Sequence, residues 1–182
     1  LEFRRVLFRS LANLIPVCFN LFFQSIYFPS YILYIYMPIK GKYKIKNKKK
    51  YRGNPNNIVY RSSWERKFMV FCDEHRSIIE WSSEEFSVPY RSPIDGKVHR
   101  YYPDFIVKKL NREGKIETLM IEIKPKSQVK KPKGGRFGLK QRKNLRENVT
   151  WQINNAKWTS AQRFCEKYGW KFKIVTEKEL NI

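Results

Sequence analysis

Residues 101–124 read YYPDFIVKKLNREGKIETLMIEIK, and this stretch decides the fold. Its first half extends a run of strand-forming residues from Val98 to Lys109, carrying Tyr101, Tyr102, Phe105, Ile106 and Val107. Asn111–Gly114 is a turn signal, and Glu117–Lys124 forms the returning strand. Two acids, Asp104 and Glu122, sit where apolar strands should exclude them. Burying an unpaired carboxylate is costly, so a strand keeps one only where a cation compensates. On adjacent antiparallel strands joined by a short turn, the two acids can face each other and share one hard divalent ion. Lys124 lies two residues beyond Glu122. Strand side chains return to the same face every second residue, so its ammonium points the same way as the carboxylate.

Working outward, Phe86–Tyr90 reads as a strand broken at Pro89, and Ser92–Gly96 as the turn of a hairpin. Ile78–Trp81 follows a turn. Before it, Trp64, Phe68, Phe71 and Cys72 recur at helical spacing, which predicts a helix over 63–75. Ser62 with Glu65 three residues later is a capping-box pattern and fixes the helix start. On the other side, a second helix is predicted from Asn144 to about Lys167, with Trp151 and Trp158 as an i, i+7 pair assigned to the core. Tyr168–Gly169 ends it, Trp170–Val175 is a last strand, and Glu177–Leu180 a final turn. The order helix, three-strand meander, helix, strand predicts an α/β fold, a mixed sheet flanked by helices.

The 182 residues carry a net charge of +22 with a pI near 10, which points to a polyanionic partner. Apolar residues at 42% and aromatics at 16% exclude a disordered tail. Cys18, Cys72 and Cys165 are far apart, and His75 and His99 are the only histidines, which argues against a disulfide framework and a structural zinc site. Residues 1–36 have no lysine, and 11–36 are almost uncharged and apolar. The first methionine is Met37. This segment reads as upstream sequence translated in frame rather than native chain, because Pro16, Pro29, Asn20, Gln24 and Ser25 interrupt it. A membrane anchor is the competing reading. Residues 37–57 read as a basic extended arm offering Lys44, Lys48, Lys49, Lys50 and Arg52 to DNA phosphates. Residues 58–182 form the remaining domain. Within it, 126–143 read as a basic mobile loop presenting Lys130, Lys131, Lys133 and Arg136.

Pro103–Asp104 followed by Glu122-x-Lys124 is the PD-(D/E)xK nuclease signature, and phosphodiester hydrolysis explains why these residue types recur. The reaction needs an electrophilic metal on the scissile phosphate, a source of hydroxide, and positive charge where negative charge builds. Asp104 and Glu122 are the candidate ligands for Mg²⁺, with Mn²⁺ as its substitute. Lys124 is the candidate for orienting or deprotonating the attacking water. Gln152 is an accessory candidate on the second helix. Lys157, His99 and Arg100 are weaker ones.

Longer phrases carry a narrower resemblance. NPNNIVYRSSWERKFMVFCDEH, EWSSEEFSVPYRSPIDGKVHRYYPDFIV, IEIKPK and NNAKWTSAQRFCEKYGWKFKIVTEKEL resemble the head completion nucleases of T-even-type tailed phages, a family related to the N-terminal domain of the TnsA transposon endonuclease. The resemblance spans about residues 40–180. It implies the α-β-β-β-α-β core of the PD-(D/E)xK superfamily and a metal-dependent DNA endonuclease acting in head completion after packaging. It also implies Glu65 as a third catalytic acid and metal ligand beside Asp104, Glu122 and Lys124. Glu122 keeps the commoner acid where TnsA-type sites can carry Gln. The implied partners are DNA and phage portal, capsid or terminase proteins, in the host cytoplasm or the virion. The alternatives are a non-enzymatic DNA-binding capsid or portal-neck protein, and a TnsA-like transposon or restriction-type endonuclease.

Overall fold

The apolar run at 116–123 makes the longest described strand because protein covers both of its faces. The computed structural model describes residues 40–132 and 140–180, the side chains of 140–144 excepted. In chain order these form β1 (Gly41–Lys42), β2 (Val59–Tyr60), α1 (Ser63–Glu74), β3 (Ile78–Ser83), β4 (Val88–Arg91) and β5 (Val98–Tyr101). There follow β6 (Phe105–Leu110), β7 (Ile116–Ile123), the one-turn helix α2 (Lys126–Val129), α3 (Lys140–Tyr168) and β8 (Lys171–Val175). The main sheet has the order β3-β6-β7-β8. Its first two pairings are antiparallel, and β8 joins β7 in parallel. A parallel neighbour needs a crossover, and α3 supplies it. The fold is the mixed α/β arrangement that the sequence predicts.

Alternation sorts the side chains of β7 between two cores. Leu119, Ile121 and Ile123 pack with Phe105, Val107 and Val175 beneath Phe68, Met69 and Cys72 of α1. Met120 turns the other way, with Ile106 and Phe172, against Ala161 and Cys165 of α3 and the β4–β5 hairpin. Glu122 and Lys124 follow Met120 on that second face by strand period. Cys72 and Cys165 are buried thiols, and Cys18 lies outside the described residues.

Three expectations are corrected. The span Val98–Lys109 is two strands, because Pro103 has no N–H to give a ladder. Val98–Tyr101 pairs only with Val88–Arg91, while Phe105–Leu110 enters the main sheet. The first strand of the meander is therefore Ile78–Ser83. Glu84, at φ 55, turns the chain out into the hairpin.

The basic arm is not extended over solvent. Asp73 is fully buried and accepts the Lys46 N–H at 2.8 Å, the Asn47 N–H at 2.9 Å and the Tyr43 hydroxyl at 3.1 Å. Ile45 and Tyr51 enter the α1-side core. The stretch 126–143 is not all loop. The Lys126 N–H donates to the Glu177 carboxylate at 2.9 Å and opens α2. Good helix formers start α3 at Lys140, ahead of the expected Asn144. Among the described residues no helix is long and apolar enough to cross a membrane, and residues 11–36 lie outside them.

Candidate active site

The register of β6 on β7 builds the site. Phe105 stands opposite Ile121 and Ile106 opposite Met120, so continuing the ladder by one residue sets Asp104 opposite Glu122. Asp104 sits one residue before β6 rather than inside it. Each carboxylate is held by a neighbour's proton. The Ile123 N–H donates to Asp104 Oδ2 at 2.7 Å. The Tyr101 hydroxyl donates to Glu122 Oε2 at 2.7 Å, and Lys124 Nζ lies 3.0 Å from Glu122 Oε1. Glu122 is 4% exposed, so both partners offset the cost of burying its charge.

Two carboxylates, Asp104 and Glu122, share the one ammonium of Lys124. Burial, and then the Glu122 carboxylate, push the Asp104 carboxyl up to about 7, against the pull of Lys124 and the Ile123 N–H. Asp104 keeps a partly exposed edge, so its surroundings are protein on most sides and open on one. Burial works to lower Lys124, but Glu122 and Asp104 outweigh it and leave the ammonium raised. The Tyr101 hydroxyl is raised far above its usual range by burial and by Glu122, so it stays a donor.

Asp104 and Glu122 are the pair that could hold a metal ion, and Asp104 keeps the partly exposed edge. Among the described residues no three His, Cys, Asp or Glu side chains converge closely enough to do so together. The reason is visible at Glu65. Its Oε1 receives the Ser62 hydroxyl at 2.9 Å and its Oε2 the Arg61 N–H at 2.7 Å, while the Ser62 Oγ accepts the Glu65 N–H at 3.1 Å. The carboxylate is committed to capping α1, although its charge is felt at both Asp104 and Lys124.

A family model described as TnsA-like endonuclease N terminal matches residues 75–177. The head completion nuclease of Enterobacteria phage T4 is 39% identical over 146 residues, which cover 79% of this chain and 95% of that protein. The chain belongs to the TnsA-like endonuclease N-terminal family. Membership supports a nuclease role. The family segment contains Asp104, Glu122 and Lys124 and begins just after α1, so Glu65 and the basic arm lie outside it.

The other candidates are scattered. Gln152 is exposed on α3, and none of the hydrogen bonds around the carboxylates runs to it. Lys157 lies 5.7 Å from the Tyr90 ring and 5.9 Å from the Tyr101 ring, so it touches the site through Tyr101. His99 pairs with Asp95 at 2.8 Å on the hairpin, and Arg100 is exposed. Of the DNA-contact candidates, Lys50 donates to the carbonyls of Asp73 and His75 at the end of α1, and Arg52 pairs with Glu80. Lys44, Lys48, Lys49, Lys130 and Lys131 are exposed, whereas Lys133 and Arg136 lie outside the described residues. Trp158 is buried as expected. Trp151 is only half-buried and faces a cleft beside Lys131.

Two site residues escaped the sequence reading. Tyr101 carries no local mark of its bond to Glu122, 21 residues away. Arg61 pairs with Glu84, whose N–H donates to the Asp104 carbonyl at 3.3 Å, and its guanidinium senses Glu65 and Asp104. Its place in the Y-R-S-S-W-E phrase was the available signal.

Proposed function

We propose that this chain is a metal-dependent DNA endonuclease of the PD-(D/E)xK class that acts in phage head completion after packaging. The observation that carries the reading is the opposition of Asp104 and Glu122 across β6 and β7, with Lys124 on the same face. A divalent ion held by the two carboxylates supplies Lewis-acid polarisation of the scissile phosphate and an acidified water. Asp104 and Glu122 would hold the ion. The Ile123 N–H and the Tyr101 hydroxyl fix the carboxylates, so neither reorganises as the reaction proceeds. Lys124, kept protonated by its two acidic neighbours, donates toward the phosphate oxygens where negative charge develops. It serves as a cation rather than as the base. Arg61, held in an ion pair with Glu84, lies near enough to sense Asp104 and could meet a phosphate only by leaving that pair. In hydrolysis a water oxygen bonds to phosphorus as one bridging P–O bond breaks; the departing oxygen keeps the electron pair and is protonated, while the proton lost by the attacking water passes to solvent. The basic surface holds DNA by its backbone without base specificity. Portal, capsid or terminase proteins are the partners this role requires, in the host cytoplasm or on the virion.

The test is cleavage of linear and supercoiled DNA by the full chain with Mg²⁺, Mn²⁺ or EDTA, beside Asp104→Ala. Cutting that needs the metal and is lost in Asp104→Ala is the expected result. DNA binding with no cutting in any metal would replace this reading with a non-enzymatic DNA-binding neck protein.

A further inference from the structure

A cleft of about 620 Å³ opens between α2 and α3, a size typical of small-ligand sites. One wall carries Lys130 and Lys131, the other Arg146, Glu147, Thr150, Trp151 and Asn154, so one acid shares the cleft with three bases. Thr150, Trp151 and Asn154 share a helix face by their i, i+3 and i, i+4 spacing. The Lys131 ammonium lies 5.6 Å from the centre of the Trp151 ring. A half-buried indole beside three basic side chains is the combination that holds a nucleotide: a flat apolar face for the base and cations for the phosphates. Contact with the Lys178 ammonium, aided by Lys130, drives Lys126 below the usual lysine range.

Both walls continue along the chain into residues beside the carboxylate pair. α2 begins two residues after Lys124. On α3, Lys157 follows Asn154 by three residues, about 4.5 Å of helix rise, and lies against Tyr101, which holds Glu122. The cleft is thus built on the two elements that flank the carboxylate site.

We propose that this cleft binds an unpaired nucleotide of the DNA, its base stacked on Trp151 and its flanking phosphates on Lys130, Lys131 and Arg146. A base inside intact duplex has both faces covered by its neighbours and cannot reach the ring. The substrate class is thus DNA with a single-stranded segment beside the cut: a frayed end, a flap or a gap. Stacking of a base outweighs an exposed cation–π contact, so the incoming base takes the ring face and Lys131 turns to the adjacent phosphate. The proposal rests on the nuclease reading for its place next to a cut, but the binding needs no turnover.

The experiment uses the full chain in EDTA and three probes: a twelve-nucleotide oligo-dT, the same backbone with abasic sites throughout, and a blunt duplex of equal length. The parent is expected to bind oligo-dT roughly five-fold or more tighter than the abasic strand. Trp151→Ala should erase that difference while leaving abasic and duplex binding within two-fold, and Trp151→Phe should keep most of it. Equal affinity of the parent for oligo-dT and the abasic strand overturns the proposal without any variant having to fold. So does a Trp151→Ala defect of equal size on all three probes. Duplex cleavage with Mg²⁺ is scored separately. Base-dependent binding without cutting defeats the nuclease reading alone, and cutting without base-dependent binding defeats the stacking site alone.

Discussion

Asp104 has surroundings that favour its neutral form, and the consequence can be measured without DNA. An unfolded aspartate titrates near ~3.9, whereas the folded carboxyl is pushed up to about 7, first by burial and then by Glu122. Between those values the folded protein binds more protons than the unfolded chain. Stability therefore falls as pH rises from about 4 to about 7, and the loss is complete above that. In EDTA, Asp104→Asn should melt several degrees higher than the parent at pH 8, a gap that closes toward pH 4. A gap constant across that range would mean that Asp104 titrates normally. Mg²⁺ at pH 8 should raise the parent's melting temperature and leave that of Asp104→Asn where it was, since the ion stabilises only the state that binds it. Tyr101 belongs to the same scale. Tyr101→Phe leaves the buried Glu122 Oε2 without its donor, and such supporting bonds are worth roughly 10–100-fold in metal affinity or activity. Cleavage at limiting Mg²⁺ should drop by that order and recover as Mg²⁺ is raised. Parent-like rates at every Mg²⁺ concentration would reduce Tyr101 to core packing.

At the scale of elements, Glu65 caps the start of α1 and adds its charge to the field at Asp104 and Lys124, and paired variants weigh the two. Ser62→Ala removes the cap and its hydroxyl bond to Glu65 but keeps the Glu65 charge, and should cost about 1 kcal/mol in urea unfolding while cutting persists. Glu65→Ala should lose similar stability and, because its charge acts on Asp104 and Lys124, more than ten-fold in cleavage. Matching losses in both readouts would leave Glu65 as a cap only. The cap was legible in the sequence because it is written within four residues. So were the Ser92–Gly96 and Asn111–Gly114 turns, and so was the Asp104, Glu122 and Lys124 face, since strand period and one short turn fix it. What was not legible depends on distant partners. Tyr43, Lys46 and Asn47 close on Asp73 across 26 to 30 residues, and no local pattern announces that a lysine-rich segment will be tied to a buried acid. Ile45 and Tyr51 alone have no periodicity to mark them as core. The split at Pro103 was readable from its missing N–H, but the surrounding aromatics read as one strand. Trp151 and Trp158 look alike at i, i+7. Only the packing of α2 beside α3 leaves the first half-exposed and the second buried.

Across the whole molecule, the net charge of +22 overstates what DNA can use. Lys46 pairs with Glu74, Arg52 and Lys108 with Glu80, Lys109 and Lys171 with Glu117, and Lys124 with Glu122. Lys50 donates to the carbonyls that close α1, where a cation also meets the negative end of the helix dipole. Lys44, Lys48 and Lys49 are exposed and make no ion pair among the described residues, although they lie in the same segment. Neutralising phosphates releases counterions, so the slope of log affinity against log salt counts the cations engaged. Lys48→Ala and Lys49→Ala should each lower that slope by about one and leave the melting temperature unchanged. Lys50→Ala should do the reverse, lowering the melting temperature and sparing the slope, because its charge is already committed to the fold. If all three variants change the slope equally, the segment lifts away from Asp73 when DNA binds. Asp73→Asn, which weakens that attachment, would then tighten DNA binding at low salt rather than weaken it.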